Sequence, residues 1–223
     1  LRKDLVPDSG SIQSADLRPR SQPDAGRRSV PSDDEILRRG LAAFAELGYE
    51  ATSVRELARR LGVSHNFIND RYGSKDAFWK AAIDEAETGM AGRLFAILAA
   101  QYDDELQRFR DGIRAFHQAI ATSPNLAMIM DYEATRNSER LHYIYKRHLA
   151  PVVDGLTPGL EKLRAAGLVR PFPLDVVLFS AIAMSNAVNV APMLRLLGQT
   201  FDDGPEEFFA MLSDIVLDGL ILD

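Results

Sequence analysis

From residue 31 onward, apolar residues recur at the spacing of a helix face and nowhere with the alternation of a strand, so the chain is expected to be all-α. Ile36, Leu37, Leu41, Phe44 and Leu47 share one face of a first helix. Ser32 precedes Glu35 by three positions, the pattern of a capping box in which hydroxyl and carboxylate each satisfy an end amide. Gly48 suits the left-handed stop. Ser53 with Glu56 repeats the start signal. Val54, Leu57, Ala58 and Leu61 form the inner face of that second helix, and Gly62 ends it. Ser64 is placed to cap a third, very short helix carrying Phe67 and Ile68. Gly73 and Ser74 then punctuate before a fourth helix from about Lys75, with Phe78, Trp79, Ala82 and Ile83 on its buried stripe. Start signals this close together predict short helices in one small unit.

Beyond residue 100 the helices lengthen. One is expected over about 104–121 and another over about 124–136, where Ser123-Pro124 reads as a cap followed by proline at the first helical position. A third spans about 139–166. Pro151 should kink or break it, and Gly167 stops it. Two more are expected over about 174–197 and 205–221. Residues 1–30 are interrupted by Pro7, Pro19, Pro23 and Gly26 and are poor in apolar side chains, which predicts a disordered arm with Arg18, Arg20, Arg27 and Arg28 as basic groups.

Composition excludes several classes. The 223 residues include no cysteine, so disulfides, thiolate zinc sites and thiol sensors are ruled out. No apolar run approaches the ~20 residues that span a bilayer, and no basic-then-apolar secretory signal opens the chain. A cytoplasmic protein without membrane association is expected. Catalytic and nucleotide signatures (a Walker A loop, G-x-S-x-G, G-x-G-x-x-G, HExxH) are absent from the sequence. His142 and His148 stand six apart, off the one-face spacing of helical metal ligands. No enzyme, cofactor or metal site is therefore expected. The net charge of −6 is uneven: +2 over residues 1–30, zero over 31–80 and −8 over 81–223. An acidic total does not exclude nucleic-acid binding where basic charge is local.

The stretch TSVRELARRLGVSHNFINDRYGSKDAFW, residues 52–79, reads as helix, tight turn, helix. Ala58 is small where two helices must cross, Gly62 sits at the turn four residues on, and Ile68 follows six further, the spacing of a helix-turn-helix. With its flanks, the segment from about residue 33 to 80 resembles the TetR family of bacterial transcription regulators. Gly48-Tyr49, Thr52-Ser53-Val54, Ala58, Gly62-Val63-Ser64, Tyr72 and Ser74-Lys75 carry that resemblance. After the disordered arm (1–30), it implies a three-helix DNA-binding domain (31–79) and a helical ligand-binding and dimerisation domain (80–223).

The resemblance also implies roles. Ser64, His65, Asn66, Phe67 and Asn69 would lie on or before the recognition helix, whose leading side chains reach base edges in the major groove. Thr52, Ser53 and Arg55 would meet phosphate at a helix N-terminus, with Lys75, Tyr72 and Arg71 as further backbone contacts. Asn69 stands where the family usually has a phosphate-contacting tyrosine, Arg71 replaces a common His or Tyr, and Asp70 adds negative charge nearby. Phe67 has a competing reading as packing beneath the short helix.

The last two helices are apolar nearly all round: Val176, Val177, Phe179, Ile182, Met184 and Val188 in the first, Phe209, Met211, Ile215, Val216 and Leu220 in the second. Such helices bury one face on their own core and the other on a partner, so a homodimer through them is expected. In the middle helices Phe109, Phe116, His117, Met128, Tyr132 and Tyr143 are candidate liners of an effector pocket, Tyr145 beside them. The function implied is a dimeric repressor released from a palindromic double-stranded DNA operator by a small-molecule effector. The alternative is a helical binding protein or enzyme whose DNA-binding unit is vestigial.

Overall fold

In the computed structural model, which describes residues 31–185, 189–198 and 206–222, the N-terminal helices start and stop at their local signals. The basic arm within residues 1–30 lies outside the described residues, as do Val188 and the side chain of Met184. Helices α1 (Asp33–Leu47), α2 (Val54–Leu61), α3 (Phe67–Tyr72) and α4 (Lys75–Ala99) follow one another. Ser32 Oγ accepts the Glu35 amide at 3.4 Å, Ser53 Oγ the Glu56 amide at 3.1 Å, and Ser74 Oγ the Ala77 amide at 3.0 Å. Gly62 closes α2 at φ 71°, ψ 30°, where a side chain would be strained.

Two details depart from expectation. The capping boxes close on one side alone, because the Glu35 carboxylate is drawn to Arg38 and Arg39 and that of Glu56 to Arg59 and Arg60. Ser64 does not cap α3. Its carbonyl accepts the Phe67 amide at 3.1 Å, and this extra turn delays the helix, leaving Asn66 at the N-cap without a side-chain bond.

The core of this unit joins Ile36, Phe44, Leu57, Leu61, Ile68, Phe78 and Trp79 to Leu126, Ile129 and Ile144 from later helices. Gly40 of α1 lies against Phe78 of α4. A β-carbon built there would overlap Phe78 Cζ and lie 2.6 Å from Phe78 Cε1, and the buried ring, wedged between Phe44 and Tyr72, cannot swing away. Overpacking of this kind costs about 1–3 kcal/mol, against the roughly 1 kcal/mol that alanine gains over glycine in a helix. Gly40→Ala should therefore lower the urea midpoint; a raised midpoint would contradict the packing.

The remaining helices are α5 (Glu105–Ala121), α6 (Pro124–Ala134), α7 (Glu139–Ile144), α8 (Ala150–Ala165), α9 (Leu174–Ser185), α10 (Ala191–Leu196) and α11 (Glu206–Leu220). Pro124 takes the first position of α6, although Ser123 makes no side-chain cap bond. The break expected at Pro151 is a π-helical turn, Tyr145–Leu149, between α7 and α8. Proline cannot donate to the carbonyl four back, and the ladder widens just before it, with the Ala150 amide bonded to Tyr145 O. The single helix expected over 174–197 is instead two, α9 and α10, with Asn189 and Val190 in a turn before α10. Pro192, overlooked as a breaker, sits in the first turn of α10, where its missing N–H costs nothing.

A second core gathers Leu160, Leu163, Val169, Val177, Val216 and Leu220. The end of α11 is tied to the segment after α8 by Arg170 N–H to Leu220 O (2.8 Å) and Leu222 N–H to Leu168 O (3.0 Å). No described helix is long and apolar enough to cross a membrane.

Candidate nucleic-acid interface and helical cavity

The α2–α3 turn presents polar side chains to solvent. Ser64, His65 and Asn66 are exposed, as are Asn69, Asp70 and Arg71 along α3, while Ile68 plugs the core. Phe67 is half-buried against that core and near Tyr72, so its packing role is realised. Tyr72 is likewise packed, its ring edge-on to Phe78 at 4.8 Å. Thr52 departs from expectation. It is 0 % exposed, and its hydroxyl donates to Gly48 O at 2.6 Å, so it pins the entry to α2 and presents no side chain to a phosphate. Ser53 and Arg55 are exposed on the first turn of α2.

The distribution of free positive charge is more selective than the sequence indicated. Within residues 31–80, Arg38 and Arg39 pair with Glu35, Arg59 with Glu56, Arg60 with Glu46 and Glu56, Arg71 with Asp33, and Lys80 with Asp76. The two arginines hold Glu56 down at about 2, so it stays a carboxylate. Arg55 and Lys75 have no carboxylate partner among the described residues. They stand at the starts of α2 and α4, where helix dipoles already favour an anion. Arg71, expected as a further backbone contact, would have to leave Asp33 to reach a phosphate.

Lys75 is aimed by a buried scaffold. Its Nζ donates to Tyr49 O at 3.0 Å and lies 4.0 Å from the Tyr49 ring centroid, leaving donors for a further acceptor. The Arg140 guanidinium lies 3.9 Å from the same centroid. Arg140 in turn donates to Glu133, which is 1 % exposed, at 2.8 Å and to Glu50 at 2.9 Å. Ser138 Oγ donates to the other Glu133 oxygen at 2.5 Å. This chain from α6 and α7 to the loop after α1 was not anticipated. Its signal was present: Glu133 continues the Leu126, Ile129 stripe of α6, where an apolar residue is due.

Two adjoining cavities lie among α4, α5, α6, α8, α9 and the π-turn. One, of about 70 Å³, includes Glu87, Phe116, Asp131, His148 and Leu149; the other, of about 50 Å³, shares Leu94, Phe116, Leu149, Val152 and Ile182 with it and is walled by apolar residues throughout. Of the sequence candidates, Phe109 and Phe116 line these spaces. The other four do not. His117 is fully buried, its Nε2 donating to Ala181 O at 3.0 Å and its Nδ1 lying 2.7 Å from Ser213 Oγ; burial holds its pKa below the usual imidazole value, and it latches α5 to α9 and α11. Met128 is exposed. Tyr132 packs on Gly48 and under Arg136. The Tyr143 hydroxyl donates to Asp84 at 2.7 Å and its ring meets Trp79. Tyr145 is exposed.

The cavity's polar end was missed. Glu87 is 3 % exposed and has no hydrogen-bond or ion-pair partner among the described residues, and burial together with the Asp84 charge raises its pKa to about 7. Its position four residues after Ile83 put a carboxyl in the register of the buried stripe, which was the available signal.

Helices α9 and α11 each show two apolar faces. Val177, Ala181, Phe209, Val216 and Leu220 are buried, whereas Val176, Phe179 (71 %), Met211 and Ile215 (57 %) are exposed at one-face spacing.

Residues 36–82 match the family model described as bacterial regulatory proteins, tetR family. The HTH-type transcriptional regulator YezE of Bacillus subtilis, itself uncharacterized, is 24% identical over 144 residues, 63% of this chain and 74% of that protein. The HTH-type transcriptional repressor Rv3405c of Mycobacterium tuberculosis is 34% identical over 73 residues, 30% of this chain and 39% of that protein. Among solved structures, the ketosteroid transcriptional regulator KstR2 of Mycobacterium tuberculosis superposes with a TM-score of 0.64 at 22% identity, covering 87% of this chain and 97% of that one. The TetR family regulator PfmR of Thermus thermophilus superposes with a TM-score of 0.60 at 24% identity, covering 86% and 99%.

Proposed function

Since the chain belongs to the tetR family of bacterial regulatory proteins, we propose that it is a cytoplasmic, homodimeric repressor whose two α3 helices read a palindromic DNA operator and which a small molecule releases. The observation that carries this is the pair of cations left without carboxylate partners among the described residues, Arg55 and Lys75, flanking an exposed polar turn. They hold phosphate while Ser64, His65, Asn66 and Asn69 face the bases. Asn66 suits adenine, whose donor and acceptor an amide matches in pairs. Residues 31–79 form the DNA-binding domain and 80–223 the ligand-binding and dimerisation domain. The exposed faces of α9 and α11 pair with their copies across a dyad, because one small helix-turn-helix reads too few bases to bind tightly alone. Helix α4 belongs to both domains, with Lys75 at its start and Glu87 and Leu94 at the cavity. An effector that prefers one tilt of α4 shifts the spacing of the two α3 helices, provided it binds the two states unequally.

Fluorescence anisotropy on labelled DNA from upstream of the gene, over a series of salt concentrations, tests this. Arg55 and Lys75 from two protomers imply a log K against log salt slope of about −3.6 or steeper. K75A should flatten the slope and weaken all sequences alike, whereas N66A should relax preference at one base pair by about 1–3 kcal/mol. Wild-type behaviour of both variants would overturn the site. The second reading, a binding module with a vestigial DNA unit, draws on the Arg71–Asp33 pair and exposed Asp70; absence of binding to any genomic fragment at low salt would establish it over the first.

A further inference from the structure

The two cavities differ in a way that specifies what fills them. The smaller has apolar side chains on every side. The larger is mostly apolar as well, yet Glu87, Asp131 and His148 also line it, with no Lys or Arg among the described lining residues. Asp131 accepts a bond from Asn189 Nδ2, and His148 Nε2 bonds Asp84 Oδ1 at 2.9 Å. Glu87 is left without a partner among the described residues although almost wholly buried. A buried carboxyl facing an apolar space costs stability unless something satisfies it, and apolar side chains of similar size would pack there without that cost. We propose that the effector of this protein is an amphiphilic cation, an ammonium-type head paired with Glu87 and an apolar tail running past Phe116 and Leu149 into the second cavity. This rests on the reading of the cavity as an effector site and specifies its ligand class.

The electrostatics select a cation over an anion. Asp84 on the same helix is the charge that acts on Glu87, and the other titratable groups among the described lining residues of the cavity are Asp131 on α6 and His148 on the π-turn, while α5, α8 and α9 contribute apolar side chains. A carboxylate ligand would meet like charge at both Glu87 and Asp131. A cation takes up the Glu87 charge and favours its ionised form. With a pKa of about 7, Glu87 is mostly neutral at pH 6 and mostly ionised at pH 8, so binding of a permanent cation should tighten with pH.

Titration calorimetry with three probes of one chain length tests this directly, without DNA: octyltrimethylammonium, 1-octanol and octanoate. The cation's charge is fixed, so any pH dependence belongs to the protein. Its affinity should rise about tenfold from pH 6 to pH 8, following the ionised fraction of one group, and exceed that of octanoate at least tenfold at pH 8. E87Q should weaken the cation at least tenfold and remove the pH dependence, while 1-octanol, held by the apolar walls, keeps its wild-type affinity and shows the cavity intact. Octanoate binding as tightly as the cation, a cation affinity flat with pH, no cation binding, or parallel loss of cation and octanol in E87Q would each overturn the proposal. None of these results bears on operator binding, which the anisotropy series measures separately.

Discussion

Phe179→Asp combined with Ile215→Asp should convert the protein to a monomer of 24.7 kDa in analytical ultracentrifugation and cost about 10²–10⁴ in operator affinity. Both side chains lie on the outer faces of α9 and α11, 71 % and 57 % exposed, so neither carboxylate disturbs the protomer's own core, which Val177, Phe209, Val216 and Leu220 fill from the opposite faces. In a dimer the same four carboxylates would be buried together and repel. The loss in DNA binding follows because each half-site is then bound independently and the second no longer benefits from the effective concentration that the dyad supplies. Circular dichroism should be unchanged. A variant that stays dimeric, or a monomer that holds the operator as tightly as the dimer, would remove α9 and α11 from the interface.

Arg140→Ala should be the most damaging single change outside the apolar core, by about 3–5 kcal/mol. The Arg140 side chain is 14 % exposed, and its partner Glu133 is 1 % exposed. Truncation leaves Glu133 buried with Ser138 as its remaining donor and strips the cation from the Tyr49 ring. Against the scale of about 2–4 °C per kcal/mol for a chain of this size, the melting temperature should fall by about 10 °C. The double variant E133L/R140M should recover much of this, since neither charge is then stranded. If R140A alone melts within a degree or two of wild type, the pair is not a buried one in solution. Tyr49 also holds Lys75, so R140A should weaken DNA binding modestly even well below its melting temperature.

Local signals carried the N-terminal half of the fold. Ser32, Ser53 and Ser74 mark helix starts because a hydroxyl satisfies an amide three residues on, and Gly48 and Gly62 mark stops because a positive φ suits glycine; both interactions are short-range and readable in sequence. What failed depended on residues far apart. His117 looked like a pocket liner until Ser213, 96 positions away, and the Ala181 carbonyl occupied its ring. Tyr143 was claimed by Asp84, 59 positions back, and Tyr132 by close packing on Gly48. Thr52 fitted a phosphate contact by position, but its hydroxyl found Gly48 O, a bond that a cap motif does not reveal. Pro192 was readable and overlooked, since proline within an apolar helical run signals a restart. Glu87 and Glu133 teach a related lesson: an acidic residue in the register of an apolar stripe can be held by a buried ion pair, as Glu133 is, or stand without one among the described residues, as Glu87 does, and periodicity cannot separate the two.

The uninterrupted run of α4 sets a mechanical scale. From Lys75 to Glu87 is twelve residues within one helix, about 18 Å of rise. A rod of that length pivoting by about 5° at the carboxyl end sweeps its tip by roughly 1.5 Å, and two such rods moving symmetrically change their separation by about 3 Å. That is close to the ~3.4 Å step between stacked bases along one strand, so in the dimeric repressor proposed above an effector would need to rock this lever by only a few degrees to throw the two reading heads out of phase with the duplex.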